Sequence, residues 1–316
     1  MRVIRTLPVA MNPDNTKLSD LVDMESPSAV LDEAGHLLNL ILPGTAPDMI
    51  ARGHRFTVDL YEGRLSGYKA CNTGYHDLKH ATDTLLTMGR LLHGAFLNDA
   101  PLSEQIVNTC LISALLHDAG YIQHEDDIEG TGAKYTQLHV PRSMDFVSHY
   151  APELGLSEAQ IQTARMIIWC TDLSIKIDEL TFESAFVEKL GRLLMAADLM
   201  SQMSDRKYLE KLLFLYHEFR EANFGDYSSG RDLLIKTLGF YDYIDTLLGD
   251  TLLEADLYLT AHFTERWQIP ENLYRRSIDN QKNYLKDIIH RSDYDHERYL
   301  KRGGIVKHIQ QAYGTF

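Results

Sequence analysis

Fourteen histidines lie among the 316 residues, and a few of them stand where they can act together. Residues 74–83 read Gly-Tyr-His-Asp-Leu-Lys-His-Ala-Thr-Asp. His76 and His80 are four apart, so on a helix they share one face and can point into one pocket. His117 and Asp118 are a second piece, closing the apolar run that begins at Ile106. An imidazole and a carboxylate at the end of so apolar a segment need partners, because an unpaired buried carboxylate is costly. Asp198 is the third piece, the one carboxylate in the run Leu193-Leu194-Met195-Ala196-Ala197-Asp198-Leu199-Met200. The same desolvation argument marks it as a buried ligand. Taken singly, each piece also fits a surface or packing role. Together, His80, His117, Asp118 and Asp198 offer two imidazoles and two carboxylates. That mixed set suits one or two divalent ions, with Mn, Fe, Zn, Mg or Ni as candidates. A carboxylate in such a set can bridge two ions about 3.5–4 Å apart, the arrangement that clamps phosphoryl oxygens.

The elements that would hold these residues read as helices. From Ser103 to His117, Ile106, Val107, Cys110, Leu111, Ala114 and Leu115 form one wide apolar stripe. Gly120 is placed to stop that helix. Helical patterns also cover 28–42, a segment from Pro47 to about Glu62, 140–150, 157–170 and 183–203. Leu209, Leu212, Leu213 and Tyr216 mark a further helix, and the run from Asp205 reads as its solvated, charge-paired face. Residues 222–231 read as a loop, and 232–313 as more helices. Residues 122–138 mix acids, glycines and no period, and loops of that length are often lids. The expected architecture is all-α, a helical bundle. An N-terminal arm (1–25) precedes a catalytic core (26–230), with a C-terminal helical extension (231–316) packed on the core.

Composition narrows the function classes. With 44% hydrophobic and 24% charged residues, the chain can bury a sizeable core, which excludes disorder as its main state. Glycine and proline, 20 and 9 residues, are too few for a turn-dense β-sandwich. The net charge of −14 repels phosphate backbones, so no nucleic-acid polymer is expected as a partner. An acidic protein that handles phosphates needs a metal or local cations. Cys71, Cys110 and Cys170 form no CxxC pair, and the latter two read as small buried hydrophobes. No stretch approaches 18 uncharged apolar residues, so neither a leader nor a membrane span is read, and a cytoplasmic location is expected.

The order His…His-Asp…Asp on an all-helical chain resembles the HD-domain metal-dependent phosphohydrolases. Tyr75-His76-xxx-His80-Ala81-x-Asp83 resembles, more narrowly, the YHNxxHAxDV motif of the cyclic-nucleotide phosphodiesterases. Ala197-Asp198-Leu199 resembles their later Ala-Asp-Ile ligand segment, and Tyr208–Phe219 the helix after it. The likeness covers roughly 70–220. It implies that His76 is a general acid and that His80, His117, Asp118 and Asp198 hold metal, with Asp118 bridging and a metal-activated hydroxide as nucleophile. The implied activity is hydrolysis of a small phosphorylated substrate, a nucleotide or cyclic nucleotide. The chain departs from the pattern at Asp77, where Asn is usual, and at Tyr121, which stands at the second histidine of HDxxH. Gln202 and Asn223 are poor matches for a purine-gripping glutamine. His124 and His139 lie just downstream as replacement ligands for a second metal. Lys134 and Arg142 are cations near the site that can meet a substrate phosphate. Two other readings stay open: a non-catalytic metal and nucleotide sensor, and a di-iron oxidoreductase using extra histidines. The extension either caps the pocket or makes a homodimer contact.

Overall fold

The computed structural model describes residues 15–314. The helices follow in chain order as α1 (Leu18–Leu21), α2 (Pro27–Ile41), α3 (Asp48–Tyr61), α4 (Leu78–Leu97) and α5 (Glu104–Leu116). Next come α6 (His139–His149), α7 (Ala151–Leu154), α8 (Glu158–Trp169), α9 (Ala185–Ser204) and α10 (Tyr208–Glu221). The chain ends in α11 (Gly230–Trp267), α12 (Leu273–Ile289), α13 (His296–Tyr299) and α14 (Ile305–Tyr313). No strand occurs among the described residues, only an isolated bridge between Tyr68 and His124. The starts are chemically marked. Ser26, Asp77, Ser103, Ser157, Ser184, Ser229 and Asn272 each accept a first-turn N–H, which satisfies donors the helix itself cannot.

Helix α4 is the axis of the molecule. Every residue from His80 to Ala95 is buried, and α2, α5, α9 and α11 pack around it. Gly94 lets α11 lie against it, since a Cβ there would overlap the Tyr258 carbonyl. Tyr274 of α12 accepts from Arg90 (2.8 Å) and Thr87 (3.0 Å) of α4 through its hydroxyl oxygen. Helices α11 and α12 thus pack against α4, α9 and α10. Helix α11 bends at Gly249, whose φ of 37° and ψ of −112° are not helical. Cys110 and Cys170 are fully buried, and the three cysteines are free. No helix among the described residues is long and apolar enough to cross a membrane.

Three sequence readings change. Residues 1–14 of the expected arm lie outside the described residues. The rest of the arm is docked, because Leu18 and Val22 are buried in the core. The run from Asp205 is not a solvated face: Tyr208, Glu210 and Lys211 are buried. Lys211 pairs with Asp77 at 2.8 Å, and the C-terminal chain covers Glu210, with the Arg302 N–H donating to its Oε1 (3.1 Å). Gly120 does not cap α5 in a left-handed turn. It lies in the short 3-10 turn Ala119–Tyr121, where a Cβ would overlap the His139 carbonyl at the start of α6.

Candidate metal centre

Three helices deliver the ligand set. Asp77 caps α4 by accepting the His80 N–H at 2.9 Å, which places His80 in the first turn, facing inward. Asp77 therefore has a structural role, as a cap that also pairs with Lys211. His117 is the C-cap of α5, and Asp118 follows in the turn. Asp198 sits on α9. The His80 and His117 Nε2 atoms are 3.0 Å apart. Asp118 Oδ2 lies 3.2 Å from His80 Nε2 and 3.4 Å from His117 Nε2. Asp198 Oδ1 lies 3.1 and 3.5 Å from the same two nitrogens.

These four atoms suit a metal ion better than they suit one another. The His117 Nδ1–H donates to the Ala114 carbonyl at 2.9 Å, which leaves its Nε2 with a lone pair directed inward. Two imidazole nitrogens at 3.0 Å repel unless a proton or a cation lies between them. Asp118 Oδ2 is buried and has no N–H aimed at it, an orphan that ordinary packing does not leave. Donors about 2.1 Å from one ion stand about 3.0 Å apart on an octahedral edge and about 3.4 Å apart on a tetrahedral one. The observed separations span that range. His80, His117 and Asp118 thus form a buried group that can hold a metal ion.

The electrostatics agree. Burial works against charge on every member, yet the carboxylates hold the imidazoles of His80 and His117 above their ordinary range. The imidazoles in turn hold Asp118 and Asp198 below theirs. The pocket therefore favours positive charge between its carboxylates, as protons or as a metal competing with them.

His76 stands beside this group, its ring centroid 6.2 Å from that of His80. The His76 Nδ1–H donates to Glu218 Oε2 at 2.8 Å, leaving Nε2 as its free ring nitrogen. Glu218 Oε1 accepts the N–H groups of Gly74 (2.8 Å) and Tyr75 (2.7 Å). One carboxylate of α10 thus fixes both the 74–76 turn and the imidazole it carries. Sequence reading missed Glu218. The signal available was weak: Glu218 is one of two acids on the buried side of α10, with Glu210, and lies 142 residues from its partner.

Of the two replacement histidines, only His139 reaches the site. Its Nε2 lies 3.6 Å from Asp118 Oδ1, and its Nδ1–H donates to the Thr136 carbonyl at 2.7 Å. Burial lowers its pKa, keeping the imidazole neutral and able to donate a lone pair. Tyr121 stacks on both His76 (4.2 Å) and His139 (4.5 Å). A tyrosine ring thus stands at position 121 between the two imidazoles, and the one beside Asp118 Oδ1 comes from α6. His124 is exposed, bridged to Tyr68 with its ring tilted against the Tyr68 ring at 4.5 Å, and is absent from the cavity wall.

Neither cation expected for phosphate faces the site. Lys134 pairs with Asp127 and donates to the Glu129 carbonyl (2.7 Å). Arg142 donates to the carbonyls of Gly120 (2.7 Å) and Ile122 (3.0 Å) and lies 3.6 Å over the Tyr135 ring. These bonds pin the 122–138 loop. Gly132 serves the same packing, because a Cβ would overlap the Tyr121 carbonyl. Asn223 is exposed beyond α10, and the Gln202 side chain donates to the Tyr75 carbonyl at 3.4 Å.

The metal group forms one end of a cavity of about 520 Å³ lined by His76, His80, Asp118, Asp198, Tyr121 and His139 at that end. Much of the remaining wall comes from α10, α11 and the loop between them.

A family model described as Npun_R2479-like matches residues 125–274. That span contains His139, Asp198 and Glu218 and begins after His76, His80, His117 and Asp118. No curated protein matches the chain.

Proposed function

We propose that the chain is a metal-dependent phosphohydrolase that cleaves a phosphoester with His76 as general acid. The observation that carries this reading is the pairing of two features at one cavity end. An orphaned Asp118 oxygen lies among converging imidazole nitrogens, and a histidine fixed by Glu218 stands beside them. His80, His117, Asp118 and Asp198 would hold one divalent ion, and Asp118 Oδ1 with His139 would hold a second. When bound, the metal polarises the phosphoryl oxygens and acidifies a water. In the hydrolysis, oxygen from water bonds to phosphorus and the bond from phosphorus to the leaving oxygen breaks. His76 acts as the imidazolium: its Nδ1–H stays on Glu218, its Nε2 proton passes to that oxygen, and a proton from solvent restores it while the attacking water's proton passes to solvent. Glu218 keeps the Nδ1–H occupied, so the proton can leave only from the cavity side. Tyr121 stacks on His76 and limits its rotation.

The test is turnover of bis(p-nitrophenyl) phosphate with Mn²⁺, Fe²⁺, Zn²⁺ or Mg²⁺ added. His76→Ala should keep its metal and lose about 10²–10⁴-fold in kcat, the usual worth of a positioned acid. Full activity in that variant would remove the general-acid role. The neutral imidazole of His139 beside Asp118 favours a second reading, a histidine-rich dinuclear centre with redox chemistry. Bound iron with a ligand-sensitive visible spectrum would select it.

A further inference from the structure

We propose that the cavity binds an amphiphile, so that the substrate is a phosphoester of an extended apolar alcohol rather than a nucleotide. The head-group half of this inference rests on the hydrolase reading above. The tail half rests on the cavity wall alone. Helix α10 turns Tyr208, Leu212, Leu215 and Phe219 toward the cavity, one stripe at helical spacing. Helix α11 adds Leu233 and Phe240 from the other side. At the wall's outer limits Phe224 and Tyr243 are 41% and 47% exposed, apolar surface left in water beside an apolar cavity. An alkyl or fused-ring tail running from the metal end would cover both.

The features a nucleotide needs are occupied elsewhere. The lining holds one lysine, Lys236, and no arginine. Lys236 already pairs with Asp232 at 3.0 Å and donates to the Asp226 carbonyl. The two lining glutamines donate to backbone carbonyls, Gln202 to Tyr75 (3.4 Å) and Gln137 to Ala222 (3.5 Å). A base would therefore meet a mostly apolar wall with few free edge partners, and unpaired polar groups there cost affinity.

Isothermal titration of the full chain with butyl, octyl and dodecyl phosphate and with AMP tests this, before and after metal removal by EDTA. The expected result is one-to-one binding that tightens about fourfold per added methylene until the cavity is full, with AMP weaker than octyl phosphate. Leu215→Gln should flatten that series. Leu215 is only partly buried, so the variant should keep the fold, checked by its melting temperature. Removing metal should weaken all the phosphates by a similar factor and leave the chain-length slope intact. Equal affinity along the series would overturn the proposal, as would tighter binding of AMP or multi-site binding that Leu215→Gln leaves unchanged. A clear slope in a protein that hydrolyses no ester with any metal would instead sink the hydrolase reading alone.

Discussion

Each site residue here is placed by a bond that the sequence shows only in part. His76 and His80 were legible as neighbours and Asp198 as a charge without company, but the shared helix face was not the reason: His76 lies in the turn before α4, which begins at Leu78. What could not be read was which groups complete them. His124 and His139 look alike in the sequence, but one enters a bridge with Tyr68 and the other opens α6 beside Asp118. Lys134 and Arg142 read as free cations, yet local carbonyls and Asp127 take both. Glu218 shows its role only when α10 folds back on the 74–76 turn. It also supplies a residue-scale prediction. Glu218→Gln keeps an oxygen for the Gly74 and Tyr75 N–H groups but turns a donor toward His76 Nδ1 and removes the carboxylate charge that supports the imidazolium, leaving a neutral ring that is a much weaker acid. Turnover should fall at least about tenfold with metal content unchanged. Wild-type kinetics would show that Glu218 holds the turn and nothing more.

At the scale of elements, most helices were legible because apolar period and caps agree. Ser103 and the stripe from Ile106 delimit α5 to within a residue or two. The failures came where tertiary packing overrides a local pattern. The charged face of α10 is buried because Asp77 and the C-terminal chain meet it. Gly120 and Gly132 are needed for backbone approach rather than for a helix stop or a hinge. At Gly94, α11 lies so close to α4 that a Cβ would overlap the Tyr258 carbonyl. Gly94→Ala replaces a residue poor in helix propensity with the best one, so propensity alone predicts a gain of about 1 kcal/mol. Overlap with a backbone carbonyl cannot be relieved by a rotamer change, so a net loss of about 1–3 kcal/mol is expected. Urea denaturation reads the sign directly. A stabilised variant would mean that α11 does not seat against α4 as described.

For the whole molecule, the sequence indicated an all-helical chain with an acidic surface and an extended core. It did not show that α4 is sheathed on all sides, with histidines far from the metal group buried in the packing. His93 of α4 and His262 of α11 share a hydrogen bond at 3.1 Å. Burial pushes His93 down to about 4, and the charges of Arg266 and His36 act in the same direction. The unfolded chain takes up a proton near 6.5 that the folded state refuses until about 4. Its contribution is therefore complete above about 6.5 and is lost as pH falls through 4, by at most about 3 kcal/mol. Urea midpoints of EDTA-treated protein at pH 7, 5.5 and 4 should fall along that course, and less steeply in His93→Gln. Parallel curves would contradict a buried neutral His93. We propose that His80, His117, Asp118 and Asp198 hold a divalent metal beside a mostly apolar cavity. Elemental analysis of the purified protein beside Asp118→Ala tests it most directly. The account predicts one to two equivalents of a divalent metal per chain, lost in the variant while the melting transition persists. A folded wild-type protein that binds no Mn²⁺, Fe²⁺, Zn²⁺, Mg²⁺ or Ni²⁺ on reconstitution would contradict it.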